Sequence, residues 1–325
     1  MNSSTSSFRG ETGVLVFAVV ALLGCEVIVQ MAGPRLSTDV QHIRAIPVLA
    51  ADLAEGSRPR ILVMGNSVIN HAVDGPDLEK WLRPSAGQGC RVVKVTPDAS
   101  HIYEWYYLFR RFFLRPARPP DVLVLGFARD YLEDSCRANP TRLGAYYASA
   151  ADYPGILWHD LTDFRDRMDF LMGGASMTYT LCDNVRWRIL KCFAPDYEEN
   201  RRRVNRVLAA HSPPAEPAPA TYVVFRRFLE KAGASNVRVI AVAMPTMDSY
   251  RLDPAIEKTV AEMGMTFFDL RHPEGLEKRH FDDPLHLNEE GTALFTRRLA
   301  EAMQGIAGGT EEARAPTSQT PSDVP

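Results

Sequence analysis

Five short apolar runs, each closed by a turn, constrain this chain more than any other feature. Residues 60–64 (RILVM) end at Gly65, and 91–95 (RVVKV) lead into Thr96-Pro97. Residues 121–125 end at Gly126, 237–243 end at Met244-Pro245, and 265–270 form a short fifth run. The run at 60–64 reads as a buried strand, and the other four read as further strands. Helix-forming stretches lie among them. Residues 74–82 carry Pro76 in a first turn, 101–114 are rich in aromatics, and 288–303 form an amphipathic closing helix. Strands alternating with helices predict an α/β fold, a three-layer parallel sheet with helices on both faces.

Composition narrows the function. The chain has 325 residues, 46% hydrophobic and 24% charged, which excludes disorder throughout and a polytopic membrane protein. Lys and Arg number 37 against 40 Asp and Glu, a net charge of −3 with no basic block. Nucleic acid is therefore not expected as a partner. The five cysteines form no C-x-x-C pair, so no metal site is expected, and nothing points to a cofactor. Cys90, Cys136, Cys182 and Cys192 form an even set that can bridge in an oxidising compartment, with Cys182–Cys192 as one pairing; buried free thiols are the other reading.

Residues 14–33 (VLVFAVVALLGCEVIVQMAG) are long enough to span a bilayer. Their Val, Leu, Ile and Phe residues contribute about −5 kcal/mol towards insertion, and Glu26 opposes it by about 3 kcal/mol. The balance predicts an anchor over 13–33 after a cytoplasmic segment 1–12. A lipoprotein with Cys25 as the lipidated residue is the competing reading, from Leu22-Leu23-Gly24-Cys25. Residues 34–58 are expected as a helical stalk broken near Pro47. The domain proper is expected over 59–304. It carries a helical insertion at 131–210, which lacks a good strand, and a Pro-rich linker at 211–220. The tail 305–325 has the composition of a disordered segment.

Ligands of open parallel sheets bind beyond the carboxyl ends of the strands. That rule selects the turns at Gly65-Asn66-Ser67, Thr96–Ser100 and Gly126–Asp130. Ser67 is a hydroxyl at that edge, and alone a G-x-S serine is more often a helix cap. A base must come from the eight histidines. Four sit in D-x-x-H: Asp39/His42, Asp98/His101, Asp269/His272 and Asp283/His286. Spacing does not separate them, but place does. The first lies in the stalk, and the second opens a helix where Asp98 or Ser100 is a natural cap. Asp269/His272 follows the fifth strand and remains a competitor to Asp283/His286. His71 is a weaker candidate. A metal on Asp282, Asp283 and His286 has no second histidine cluster to support it. The aromatic run from Tyr103 to Phe113 suits sugar stacking or, at helical spacing, core packing.

The order G-N-S, then Gly126-Phe-Ala-Arg-Asp130, then Asp283-Pro-Leu-His-Leu-Asn-Glu-Glu-Gly291 resembles the SGNH/GDSL hydrolase superfamily. The resemblance runs over blocks at about 60–130 and 237–303. It implies a flavodoxin-like α/β domain. It is nearest to membrane-anchored members acting on envelope polymers, such as the alginate O-acetylation and teichoic-acid D-alanylation proteins. It makes Ser67 the nucleophile, His286 the general base and Asp283 the carboxylate that orients it. Asp98, Ala99 and Arg129 then stand where the oxyanion is held. The family's second-block glycine and third-block asparagine are absent, with a carboxylate near the one and Arg129 near the other. Arg129 either donates to the oxyanion or pairs with Asp130, Glu133 or Asp134. The implied activity is hydrolysis or transfer of O-acyl, chiefly acetyl, esters of polysaccharide outside the cytoplasmic membrane. The alternative is an inactive glycan-binding or assembly factor for a membrane-bound acyltransferase partner.

Overall fold

The computed structural model describes residues 5–86, 89–115, 119–136, 138–194, 196–197, 199–200, 203–204 and 220–307. The expected linker and tail fall almost wholly outside these residues. In chain order the main elements are α1 (Thr5–Leu36), α2 (Thr38–Glu55), β1 (Arg60–Met64), α3 (Ser67–Ala72), α4 (Gly75–Ala86), β2 (Arg91–Val95) and α5 (Ile102–Phe109). There follow β3 (Val122–Phe127), α6 (Phe164–Ala175), α7 (Met177–Phe193), α8 (Val223–Ala234), β4 (Arg238–Ala243), α9 (Pro254–Glu262), β5 (Thr266–Asp269) and α10 (Glu289–Ala307). They group into two compact units. One is helical and comprises 1–46, 100–112 and 133–221; the other comprises 47–99, 113–132 and 222–325.

The second unit holds the sheet. All five strands are parallel in the order β2-β1-β3-β4-β5. The chain steps from β1 outward to β2, then returns past β1 to β3, so the topological switch lies between β1 and β3. Right-handed crossovers in opposite directions place helices on both faces. One face buries Ile61, Val63, Val124 and Val242 with Ile69 of α3, Leu78 and Leu82 of α4, and Phe295 and Leu299 of α10. The alternate residues, Leu62, Met64, Leu123, Val239 and Ala241, are equally buried, and α8 and α9 pack on β4 and β5. The runs of β1, β3 and β4 are continuous rather than alternating because both of their faces are covered, while β5 is only partly buried.

In the helical unit, α5 is core rather than a sugar platform. Trp105, Tyr106, Tyr107 and Phe109 are buried on it. Its cap is His101, one residue later than expected. Ser100 instead accepts from the Trp105 indole at 2.7 Å. Glu104 is fully buried and accepts from His101 N–H at 3.1 Å and Asn139 N–H at 2.7 Å. Burial raises its pKa despite those donors.

Two sequence expectations fail on helix geometry. Pro47 does not break α2, which runs on through it. Val40, Ile43 and Ile46 are buried at helical spacing, so this segment is no bare stalk. Asp39 there pairs with Arg142 at 2.8 Å. Cys182 and Cys192 are both free, because they lie on the single helix α7. Ten residues of α-helix rise about 15 Å, beyond disulfide reach.

Candidate active site

The carboxyl ends of the strands carry the residues singled out above. Ser67 is the first residue of α3, directly after β1. Asn66 caps that helix, its side chain accepting from Val68 N–H at 3.0 Å. The short helix is braced at its far end as well. Lys94 of β2 donates to the Asn70 carbonyl at 3.0 Å and the Val73 carbonyl at 2.6 Å. Burial lowers the Lys94 pKa, against the nearby Asp74 carboxylate. Thr296 of α10 accepts from Asp74 N–H at 2.9 Å, and Thr292 donates to the His71 carbonyl.

His286 stands on a tight loop closed by the Phe281–Leu287 bridge and by Asp282 N–H to the His286 carbonyl at 2.9 Å. Asp283 organises the loop from within. Its Oδ1 accepts from Leu285 N–H at 2.8 Å and His286 N–H at 2.9 Å, with Pro284 fixing the turn between them. Asn288 then caps α10, accepting from Gly291 N–H at 3.0 Å. The D-P-L-H-L-N-x-x-G block is thus a turn and a helix start in one.

The loop brings three side chains into line. His286 Nε2 lies 2.9 Å from Ser67 Oγ, and His286 Nδ1 lies 2.7 Å from Asp283 Oδ2. Burial pushes the Asp283 carboxyl up, but the hydrogen bonds from the His286 ring and the Leu285 and His286 amides outweigh it and bring its pKa to about 2. An ionised carboxylate only accepts, so Nδ1 carries the proton and Nε2 is left to accept from Ser67. The His71 ring leans on His286, with centroids 4.8 Å apart.

The competing pair is differently occupied. The Asp269 carboxylate is held by Arg271 at 2.8 and 2.7 Å, and that ion pair lowers its pKa. His272 faces a cavity of about 600 Å³, lined also by Thr246, Asp248, Arg271, Lys278 and Phe281, whose wall includes none of Ser67, Asp283 and His286. Among the described residues no group of three His, Cys, Asp or Glu side chains is placed to hold a metal ion.

The two other turns share a feature the sequence does not display. Ala99 and Arg129 both adopt positive φ, at 48° and 53°. This left-handed region costs a non-glycine residue about 1–2 kcal/mol, and such strain concentrates at functional sites. Asp98, Ala99 and Arg129 are all exposed. Among the described residues no carboxylate forms an ion pair with Arg129, so the pairing with Asp130, Glu133 or Asp134 is not made. The Tyr250 hydroxyl donates to the Met244 carbonyl at 2.9 Å. Burial keeps that phenol protonated. Lys94 is not legible in the sequence, since it acts through contacts distant along the chain.

The strain is testable. Ala99→Gly is expected to raise stability in chemical denaturation by up to about 1 kcal/mol, since glycine adopts positive φ freely. Asp98→Gly, at a residue without positive φ, should give no gain. Equal effects at both positions would contradict the strain assignment.

No family model matches the chain, and no curated protein does. Similar solved structures exist. A catalytic mutant of an acetylxylan esterase from Geobacillus stearothermophilus is 11% identical, with 78% of this chain and 95% of that chain covered at a TM-score of 0.40. A lipase/acylhydrolase from Enterococcus faecalis is 12% identical, with 75% and 95% covered at a TM-score of 0.35.

Proposed function

We propose that this protein is a serine esterase of the SGNH/GDSL type that works through an acyl-enzyme on Ser67. The observation that carries the reading is the continuous relay from Ser67 Oγ through the His286 ring to Asp283. As the ester carbonyl approaches, His286 Nε2 takes the Ser67 proton and the serine oxygen bonds to the carbonyl carbon. Asp283 stabilises the imidazolium without taking its proton. The oxyanion is held by the Ser67 N–H, the strained turn at Asp98-Ala99 and the Arg129 side chain, which brings a full positive charge to replace a neutral donor. His286 then returns the proton to the departing alcohol. An incoming hydroxyl repeats the steps in reverse. Water makes the protein an esterase; a sugar hydroxyl makes it an O-acyltransferase, and exclusion of water decides between them.

The formed relay favours an enzyme over an inactive assembly factor. For the substrate we propose an O-acylated, chiefly acetylated, polysaccharide of the envelope or secreted material, on the strength of the sequence motifs. Glu11–Gly33 is long and apolar enough to cross a membrane, and the side chains from Glu11 to Cys25 are all exposed. We read it as an anchor in the cytoplasmic membrane that holds the catalytic domain on the periplasmic or outer side. A membrane-bound acyltransferase partner belongs to the transfer reading.

Fluorophosphonate labelling of the full-length protein in detergent tests the serine directly. A single adduct is expected, on Ser67 by peptide mapping, and absent in His286→Ala. A folded protein that takes no adduct, or takes it on another serine, would overturn the proposal.

A further inference from the structure

The apolar helix α1 is exposed along its first part, but burial begins at Glu26 and includes Val29, Ala32 and Gly33. That face lies against α7. Glu26 accepts from Ser176 Oγ at 2.8 Å, Met177 N–H at 2.6 Å and Thr178 N–H at 3.1 Å, and from Gln30 at 3.1 Å. A side chain on Gly33 would meet Leu181 at 3.3 Å. The two helices therefore run side by side in the same direction, from the level of Glu26 to that of Gly33. Seven residues of helix separate those levels by about 10 Å. If Gly33 marks the membrane surface, the start of α7 lies about 10 Å beneath it.

The residues at that depth suit it. From Phe170 to Cys182 (FLMGGASMTYTLC) there is no charged residue, while Asp169 and Asp183 flank the stretch. It forms the turn of a helical hairpin, with α6 leading in and α7 leading out. On α6, Phe164, Met168, Leu171 and Met172 are all exposed at a spacing that makes one apolar stripe. Near the start of α6, the Arg167 guanidinium lies 6.0 Å from the exposed Trp158 ring, an aromatic and a cation suited to a headgroup zone.

Backbone at membrane depth must find its partners within the protein. The hairpin turn meets that condition. Ser176 N–H closes on the Met172 carbonyl at 2.9 Å. The first amides of α7 are all taken: Met177 and Thr178 by Glu26, and Tyr179 by Ser176 Oγ at 3.1 Å. The acidic residue inside the apolar segment is likewise paired instead of facing lipid.

We infer that the α6–α7 hairpin is a second membrane element, its tip sunk among the acyl chains of the leaflet nearest the folded protein and pinned there by Glu26. This rests on the proposed anchor, and the test separates the two. The full-length protein, with its native cysteines replaced by alanine, carries one environment-sensitive fluorophore at Val20→Cys, Met172→Cys or Glu257→Cys. Each variant must keep the parent's far-UV spectrum and thermal midpoint. The proteins are reconstituted into phosphatidylcholine vesicles with spin-labelled acyl chains. Quenching and a blue-shifted emission are expected at residues 20 and 172, with no change at 257. Quenching at 20 without quenching at 172 would overturn the hairpin and leave the anchor standing, its surface then lying near Glu26. No quenching at 20 would overturn the anchor, and the hairpin with it.

Discussion

Replacing Asp283 by asparagine is expected to lower kcat for a model acetyl ester by about 10⁴-fold while leaving the fold intact. The amide keeps the shape of the carboxylate, and its oxygen can still accept from the Leu285 and His286 amides. Its NH₂ group, however, faces His286 Nδ1, where the carboxylate now lies 2.7 Å away. The ring must then turn an unprotonated Nδ1 towards the amide and carry its proton on Nε2. Such a ring cannot accept from Ser67. Ser67→Ala and His286→Ala should cost more, on the order of 10⁶-fold, and combining them should add little, because the three residues act as one unit. Asp269→Asn and His272→Ala should leave kcat within a few fold; loss of turnover there would transfer the base to the other D-x-x-H pair. The pH profile gives a further check. With the Asp283 pKa held at about 2, the carboxylate remains ionised across the working range, so Asp283 should contribute no acidic limb above about 4. A depressed pKa also means that its contribution to stability is full above the usual 3.8 and is lost as the pH falls through about 2.

The readable parts of this protein are those whose cause is local. Each buried strand announces itself because both faces of a parallel sheet are covered, and the run from Ile61 to Met64 has no polar residue to hide it. The block from Asp283 to Gly291 is readable because its turn, its cap and its functional groups lie within one short stretch. What was hidden depends on residues far apart. No local signal makes Ala99 or Arg129 adopt positive φ. The extent of the helical unit was hidden for the same reason. The sequence offers a helix at 101–114 and an insertion at 131–210, but only packing groups 100–112 with 133–221 and the N-terminal helices. Glu26 reads as a blemish in an apolar segment until Ser176, Met177 and Thr178 are set beside it.

The seat of Ser67 makes the second strong expectation. Gly65, just past the end of β1, and Gly126, near the end of β3, stand side by side, since Met64 pairs with Leu125 in the preceding register. Ile69 of α3, fully buried, fills the notch between them. A methyl group on Gly126 would overlap the Ile69 side chain, coming within 2.9 Å of its Cβ and Cγ1. One on Gly65 would come within 2.6 Å both of Ile69 Cγ2 and of the Gly126 carbonyl oxygen. Either substitution pushes α3 outward and carries Ser67 away from His286. Gly126→Ala and Gly65→Ala are each expected to cost about 1–3 kcal/mol of stability, with a loss of turnover larger than the loss of folded protein. The two differ in how they respond to a smaller residue at position 69. Ile69→Ala alone leaves a cavity and costs about 2–5 kcal/mol. Against that background Gly126→Ala no longer meets Cγ1 or Cδ1 and keeps only the 2.9 Å approach to the Cβ of a smaller residue that can shift into the void, so a double-mutant cycle should give a favourable coupling of about 1 kcal/mol or more. Gly65→Ala should show little coupling, because its second obstacle is backbone that no side-chain change removes. Equal coupling at both positions would mean that the notch is not what seats the serine.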